Sequence, residues 1–147
     1  MLVIIEGFME KKTENYAKSI QEHIRECIEE LDEYAEEISQ LRKRDFRGIE
    51  RDLQVLIEAG IGVAKRLVKK HHKLVPIGAY ESFQKLSDLK IITKAELKQW
   101  ESVIGLRNIL VHDYLNVDRK ILISILQKKE YKFIQGFVKN NITSLLE

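Results

Sequence analysis

Tyr16, Ile20, Ile24, Cys27, Ile28, Leu31, Ala35, Ile38 and Leu41 recur at intervals of three and four residues. Charged residues fill most of the positions between them. A helix turning 100° per residue gathers those apolar positions into one stripe, whereas a strand would scatter them over both faces. The pattern predicts a first helix from about Met9 to Arg42. One proline, Pro76, and seven glycines in 147 residues leave few places for such helices to break. No stretch alternates with the two-residue period of a strand. The chain therefore reads as all-α: an antiparallel bundle of four main helices plus a short one.

The remaining elements follow from local signals. A turn near Arg44-Asp45 leads to a second helix, about Phe46 to His71, with Phe46, Ile49, Leu53, Leu56, Val63 and Leu67 on its core face. Gly60 and Gly62 interrupt it; glycine costs about 1 kcal/mol against alanine in a helix interior, so the pair implies tight packing or a kink. Pro76 breaks the chain, and a short helix follows from Gly78 to Leu86. Thr93-Lys94-Ala95-Glu96 fits a capping box that starts the fourth helix. Asp118 suits the N-cap of a fifth, running from Arg119 toward Leu146.

Length fits one domain spanning 1–147, with residues 1–8 as an N-terminal extension. That opening segment is apolar but too short to cross a bilayer, and it lacks the basic leader of a signal peptide. At 44% apolar and 33% charged, the composition is that of a globular protein. A lone cysteine excludes an intrachain disulfide, and the expected location is cytoplasmic. Cys27 lies on the first helix's stripe, the place of a small core residue rather than a nucleophile. His23 sits beside that stripe as a boundary residue. His71 and His72 fit a helix C-terminus better than a metal site, and no zinc-type spacing occurs.

The net charge of +2 identifies no partner, but the charges are segregated. Residues 22–37 hold eight acids against Arg25; residues 65–73 hold five bases and no acid. Either run can be a solvated helix face, and the basic one can also steer phosphate.

The fourth helix contains Gly105-Leu106-Arg107-Asn108-Ile109-Leu110-Val111-His112-Asp113-Tyr114. Its apolar residues, Val103, Ile104, Leu106, Ile109, Leu110, Val111 and Leu115, fall nearly all round the cylinder, so it should be buried on more than one side. One side can face its own bundle and the other a second subunit. Asn108 and His112 share a face. Arg107 and Tyr114, seven apart, share another if the helix continues that far. Histidine is the natural acid–base group near neutrality, and the guanidinium fork suits phosphoryl oxygens. Asp113 reads as a helix-end residue. The same residues would also serve as a satisfied polar network at an interface.

This stretch resembles the signature of HEPN-domain proteins, Arg, four to six residues, then His. More narrowly it is similar to the HepT toxins of HepT/MntA (type VII) toxin–antitoxin systems, with Arg-Asn, three residues, His, one residue, Tyr. The likeness extends to Glu50-Arg51-Asp52-Leu53-Gln54, to Pro76 with Tyr80-Glu81-Ser82-Phe83 before Leu86, and to the run from Thr93 to Asp118. HepT proteins often carry an acid where Gly62 stands here, so no site residue is assigned to the second helix. The resemblance implies a HEPN bundle and a homodimer whose paired Arg107 and His112 cleave RNA without metal or other cofactor; Asn108, one turn before His112, is placed to support it by orienting the His112 ring or binding phosphate. The resemblance further implies that Tyr114 accepts AMP from an MntA-type nucleotidyltransferase antitoxin. A catalytically silent nucleotide- or partner-binding module, or a plain interaction bundle, would use the same scaffold. None of these readings involves a membrane.

Overall fold

The computed structural model describes residues 2–72 and 78–146, with side chains from 12 to 71 and from 78 to 146. The break expected at Pro76 and the side chains of residues 1–8 lie outside the described set. Among the described residues there are six α-helices and no strand: α1 (Leu2–Glu36), α2 (Lys43–His72), α3 (Ala79–Asp88), α4 (Lys94–His112), α5 (Arg119–Lys128) and α6 (Lys132–Asn141). Three short 3-10 helices, Ile38–Gln40, Tyr114–Asn116 and Thr143–Leu145, follow α1, α4 and α6. No described helix is long and apolar enough to cross a membrane.

Several boundaries differ from expectation. α1 begins at Leu2, and it stops at Glu36 rather than Arg42. Its last turn is acidic, with no base to offset the partial negative charge of a helix C-terminus. α2 starts at Lys43, three residues early, because the Asp45 carboxylate accepts the Arg42 backbone N–H at 2.7 Å. The fifth helix is two helices. Lys129 takes a left-handed backbone, φ 51°, and the N–H groups of Lys129 and Glu130 close on the carbonyls of Leu126 and Ile125. That paired bond is a Schellman ending, normally marked by glycine. Lys90, φ 61°, ends α3 in the same way through Ser87 and Leu86. The two predicted caps are present. Thr93 and Glu96 form a full capping box, and Asp118 accepts from the Lys120 N–H.

α2 is the hub, packing on α1, α3, α4 and α6. Its Leu53, Leu56, Ile57, Val63, Ala64 and Leu67 are sealed from solvent. Trp100 of α4 stacks on Phe83 of α3 at 4.0 Å between ring centroids and meets Phe137 of α6 edge-on at 5.0 Å. Gly60 makes room for it: a Cβ there would stand 2.5 Å from Trp100 Cη2. The glycine interruption of α2 is thus a close approach between helices. α6 is tethered to α1 by Asp32, which accepts from Tyr131 Oη at 2.5 Å and Lys132 Nζ at 2.8 Å. Burial alone would raise the Asp32 pKa, but these two donors outweigh it and hold the carboxyl below its ordinary value.

Between α1 and α2 lies a buried acid. Asp52 is 8% exposed, and its Oδ2 has no hydrogen-bond partner. Desolvation, followed by the nearby Glu30 carboxylate, pushes its pKa up to about 8. Cys27 packs beside it, and burial with the Asp52 charge pushes the thiol up to about 12. Cys27 is therefore a protonated core residue at neutral pH, with no nucleophilic character.

Candidate active site

α4 is fixed at its start by the capping box and at its middle by Trp100, so its last two turns emerge from the bundle in a set orientation. Leu110 and Ile104 face the core. Arg107 lies half-buried against α2, with Nε 3.2 Å from Glu58 Oε1. That contact is an ion pair without a formed hydrogen bond, since Nε has no hydrogen-bond partner. Arg107 Nη1 donates to Asn108 Oδ1 at 3.2 Å. Glu58 and Asn108 thus hold two nitrogens of the guanidinium. Asn108 and His112 are exposed, and His112 occupies the last turn of α4.

Asp113 ends the helix with φ −133°, and its carboxylate accepts from Asn116 Nδ2 at 2.7 Å. Its reading as a helix-end residue is correct. The shared helical face expected for Arg107 and Tyr114 does not exist, because α4 stops at His112 and Tyr114 opens a separate 3-10 turn. Tyr114 is 64% exposed, so its phenol is open to solvent.

The same end of the molecule carries apolar surface. Ile109 and Val111 are each 38% exposed, Leu115 is 83% exposed, and Ile121 of α5 adds to them. The expectation that α4 is too apolar for one bundle is met on its outer side, which nothing among the described residues covers. Gly105 lies on that side, with no atom within 4 Å of where its Cβ would be.

Sequence reasoning missed Glu58. The available signal was the one acid of α2 beyond Asp52, at a position facing away from the helix's core side. Among the described residues no cluster of three or more His, Cys, Asp or Glu is arranged to hold a metal. The chemistry this end of α4 can offer is an imidazole for proton transfer, a guanidinium for an anion and a reachable phenol.

The chain is 29% identical over 107 residues to the mRNA nuclease HepT of Shewanella oneidensis, an overlap of 71% of this chain and 80% of the relative. Two solved structures share the fold. The tri-AMPylated HEPN toxin of S. oneidensis, in complex with its MNT antitoxin, superposes with a TM-score of 0.74 at 23% identity, covering 84% of this chain and 94% of the other. YutE of Bacillus subtilis, described as a cytosolic protein of unknown function, superposes with a TM-score of 0.66 at 22% identity over 93% and 90% of the two chains. The profile of the HepT-like ribonucleases matches residues 20–140, most of the length, and the chain belongs to that family.

Proposed function

We propose that this protein is the toxin of a toxin–antitoxin pair, a cytoplasmic single-domain endoribonuclease that acts as a homodimer through Arg107 and His112. The observation that carries the reading is the outer end of α4. It presents His112 and Asn108 beside an uncovered apolar face, with the Arg107 guanidinium held nearby. A two-fold axis at that face would bring two copies of each group together. RNA cleavage needs a base to take the 2′-hydroxyl proton and an acid to protonate the departing 5′-oxygen. One histidine from each protomer supplies the two. Arginine stabilises the charge that develops on the phosphoryl oxygens, and no step in this scheme requires a metal. Asn108 keeps Arg107 directed, through the bond to Nη1.

Tyr114 is the regulatory site in this reading. Its exposure lets an MntA-type nucleotidyltransferase reach the phenolic oxygen. An attached AMP brings a phosphate to the cationic cleft, where its charge opposes RNA entry.

The Glu58–Arg107 contact favours one rival, a catalytically silent module, because a guanidinium already facing a carboxylate has less to offer a phosphate. RNA cleavage assayed with purified dimer in EDTA decides between them. Cleavage that disappears in His112→Ala supports the ribonuclease, and intact RNA with every substrate tried supports the silent module.

A further inference from the structure

One strip along the solvent side of α2 is rich in cations. Counting about 100° per residue from Glu58, the positions of Arg44, Arg47, Arg51, Lys65 and Lys69 fall within roughly 40° of one line. Lys65 is half-exposed and the other four are exposed. The helix's acids other than Glu58 point elsewhere. Asp45 caps the start of α2, Glu50 feels the charge of Arg119 of α5 first and of Arg47 second, and Asp52 is buried against α1. α1 is rich in exposed glutamates, yet among the described residues none forms an ion pair with the strip. Five cations, none in an ion pair among the described residues, thus share one line with a single acid, and that acid faces Arg107.

We propose that this strip is a phosphate track that carries the RNA strand past Arg107 in both directions. The assignment rests on the ribonuclease reading for what happens at Arg107, but not for the binding itself. Its length favours a nucleic acid strand over a point ligand. From Arg44 to Lys69 the strip spans about 37 Å at 1.5 Å per residue, room for roughly ten nucleotides at about 3.4 Å each. Its centre coincides with Glu58 and Arg107, so a strand lying along it passes the reactive end of α4. Three of the five cations are arginines, whose forked donors match phosphate oxygens and hold a backbone without reading sequence. Each contact releases counterions, so affinity should fall steeply with salt, by about 0.7 log units per log unit of salt for each single-strand phosphate bound.

The test measures binding without cleavage. A fluorescent 14-nucleotide RNA with every 2′-oxygen methylated has no attacking hydroxyl, so the protein binds it and leaves it whole. Anisotropy titrations from 0.1 to 0.5 M salt compare the wild type with Arg44→Gln/Arg47→Gln/Arg51→Gln and with Lys65→Gln/Lys69→Gln. Glutamine is a good helix former, and the exposed positions keep the fold. The triple variant should flatten the salt slope by about 2 and weaken binding at 0.1 M on the order of 100-fold; the double variant should flatten it by about 1.4. Slopes equal to wild type in both variants overturn the track and leave RNA entry to another surface, with an acidic protein as the strip's occupant. Salt-sensitive binding that is lost in the variants upholds the track even if no cleavable RNA is ever cut, in which case the ribonuclease reading alone fails.

Discussion

Replacing Gly105 tests where a second copy docks. Gly105 sits inside α4, where glycine is about 1 kcal/mol worse than alanine, and nothing among the described residues comes within 4 Å of the space a Cβ would fill. An added side chain should therefore leave the protomer's packing intact and strengthen its helix. At a dimer interface the consequence is opposite. Gly105 shares a helical face with Ile109 and His112, and a bare backbone there lets a partner helix come close. Forcing a side chain into such a contact costs about 1–3 kcal/mol. A two-fold interface counts the change twice, giving about 2–6 kcal/mol. That corresponds to a dimer dissociation constant raised by about 30-fold to more than 10,000-fold. Gly105→Gln, followed by sedimentation or light scattering across a dilution series, should show a monomer with unchanged far-ultraviolet helicity where the wild type is still dimeric. A dissociation constant equal to wild type would refute the reasoning and place the interface elsewhere.

Asp52→Asn should stabilise the protein at alkaline pH. The native carboxyl holds its proton until about 8, whereas the unfolded one loses it near 3.9. Stability is thus fully present below pH 4 and drains away as pH rises through 8. The asparagine variant should melt higher by the equivalent of a few kcal/mol at pH 8, with a flatter profile of melting temperature against pH; parallel profiles would contradict this. Gly60→Ala should destabilise by more than the roughly 1 kcal/mol that helix propensity returns, since its Cβ meets Trp100 at 2.5 Å; chemical denaturation showing a gain would reject the close approach. Tyr114→Phe keeps the ring and removes the acceptor oxygen. On co-expression with the cognate transferase, the wild-type Tyr114 peptide should gain about 329 Da per AMP and the variant peptide nothing, while the variant stays toxic. A variant modified and silenced as fully as wild type would show that the switch lies elsewhere.

Much of the fold was legible because its signals are local. Thr93 with Glu96, and Asp118, declare helix starts through side chains a few residues away. The endings at Lys90 and Lys129 were not legible, because lysine carries no mark of the left-handed conformation that glycine would advertise. In the site, Arg107, Asn108 and His112 stood out as polar residues in an apolar run, and the excess of apolar residues on α4 foretold its uncovered face. Glu58 carries a similar mark, a lone charge in the apolar run from Val55 to Ala64, but nothing local ties it to the site. Its contact with Arg107 joins α2 to α4, and only the crossing of the two helices makes them neighbours. The face shared by Arg107 and Tyr114 required the helix to continue that far, and it ends at His112, with the Asp113 carboxylate accepting from Asn116.

The most direct test of the central claim is RNA cleavage by purified wild-type, His112→Ala and Arg107→Ala proteins in EDTA, each first confirmed as folded and dimeric. Attack by the 2′-oxygen leaves a 2′,3′-cyclic phosphate on the upstream fragment. The account predicts that product from the wild type and at least 100-fold less from either variant, the range expected when an acid–base or charge-stabilising group is removed. Cleavage at the wild-type rate by dimeric His112→Ala would contradict it.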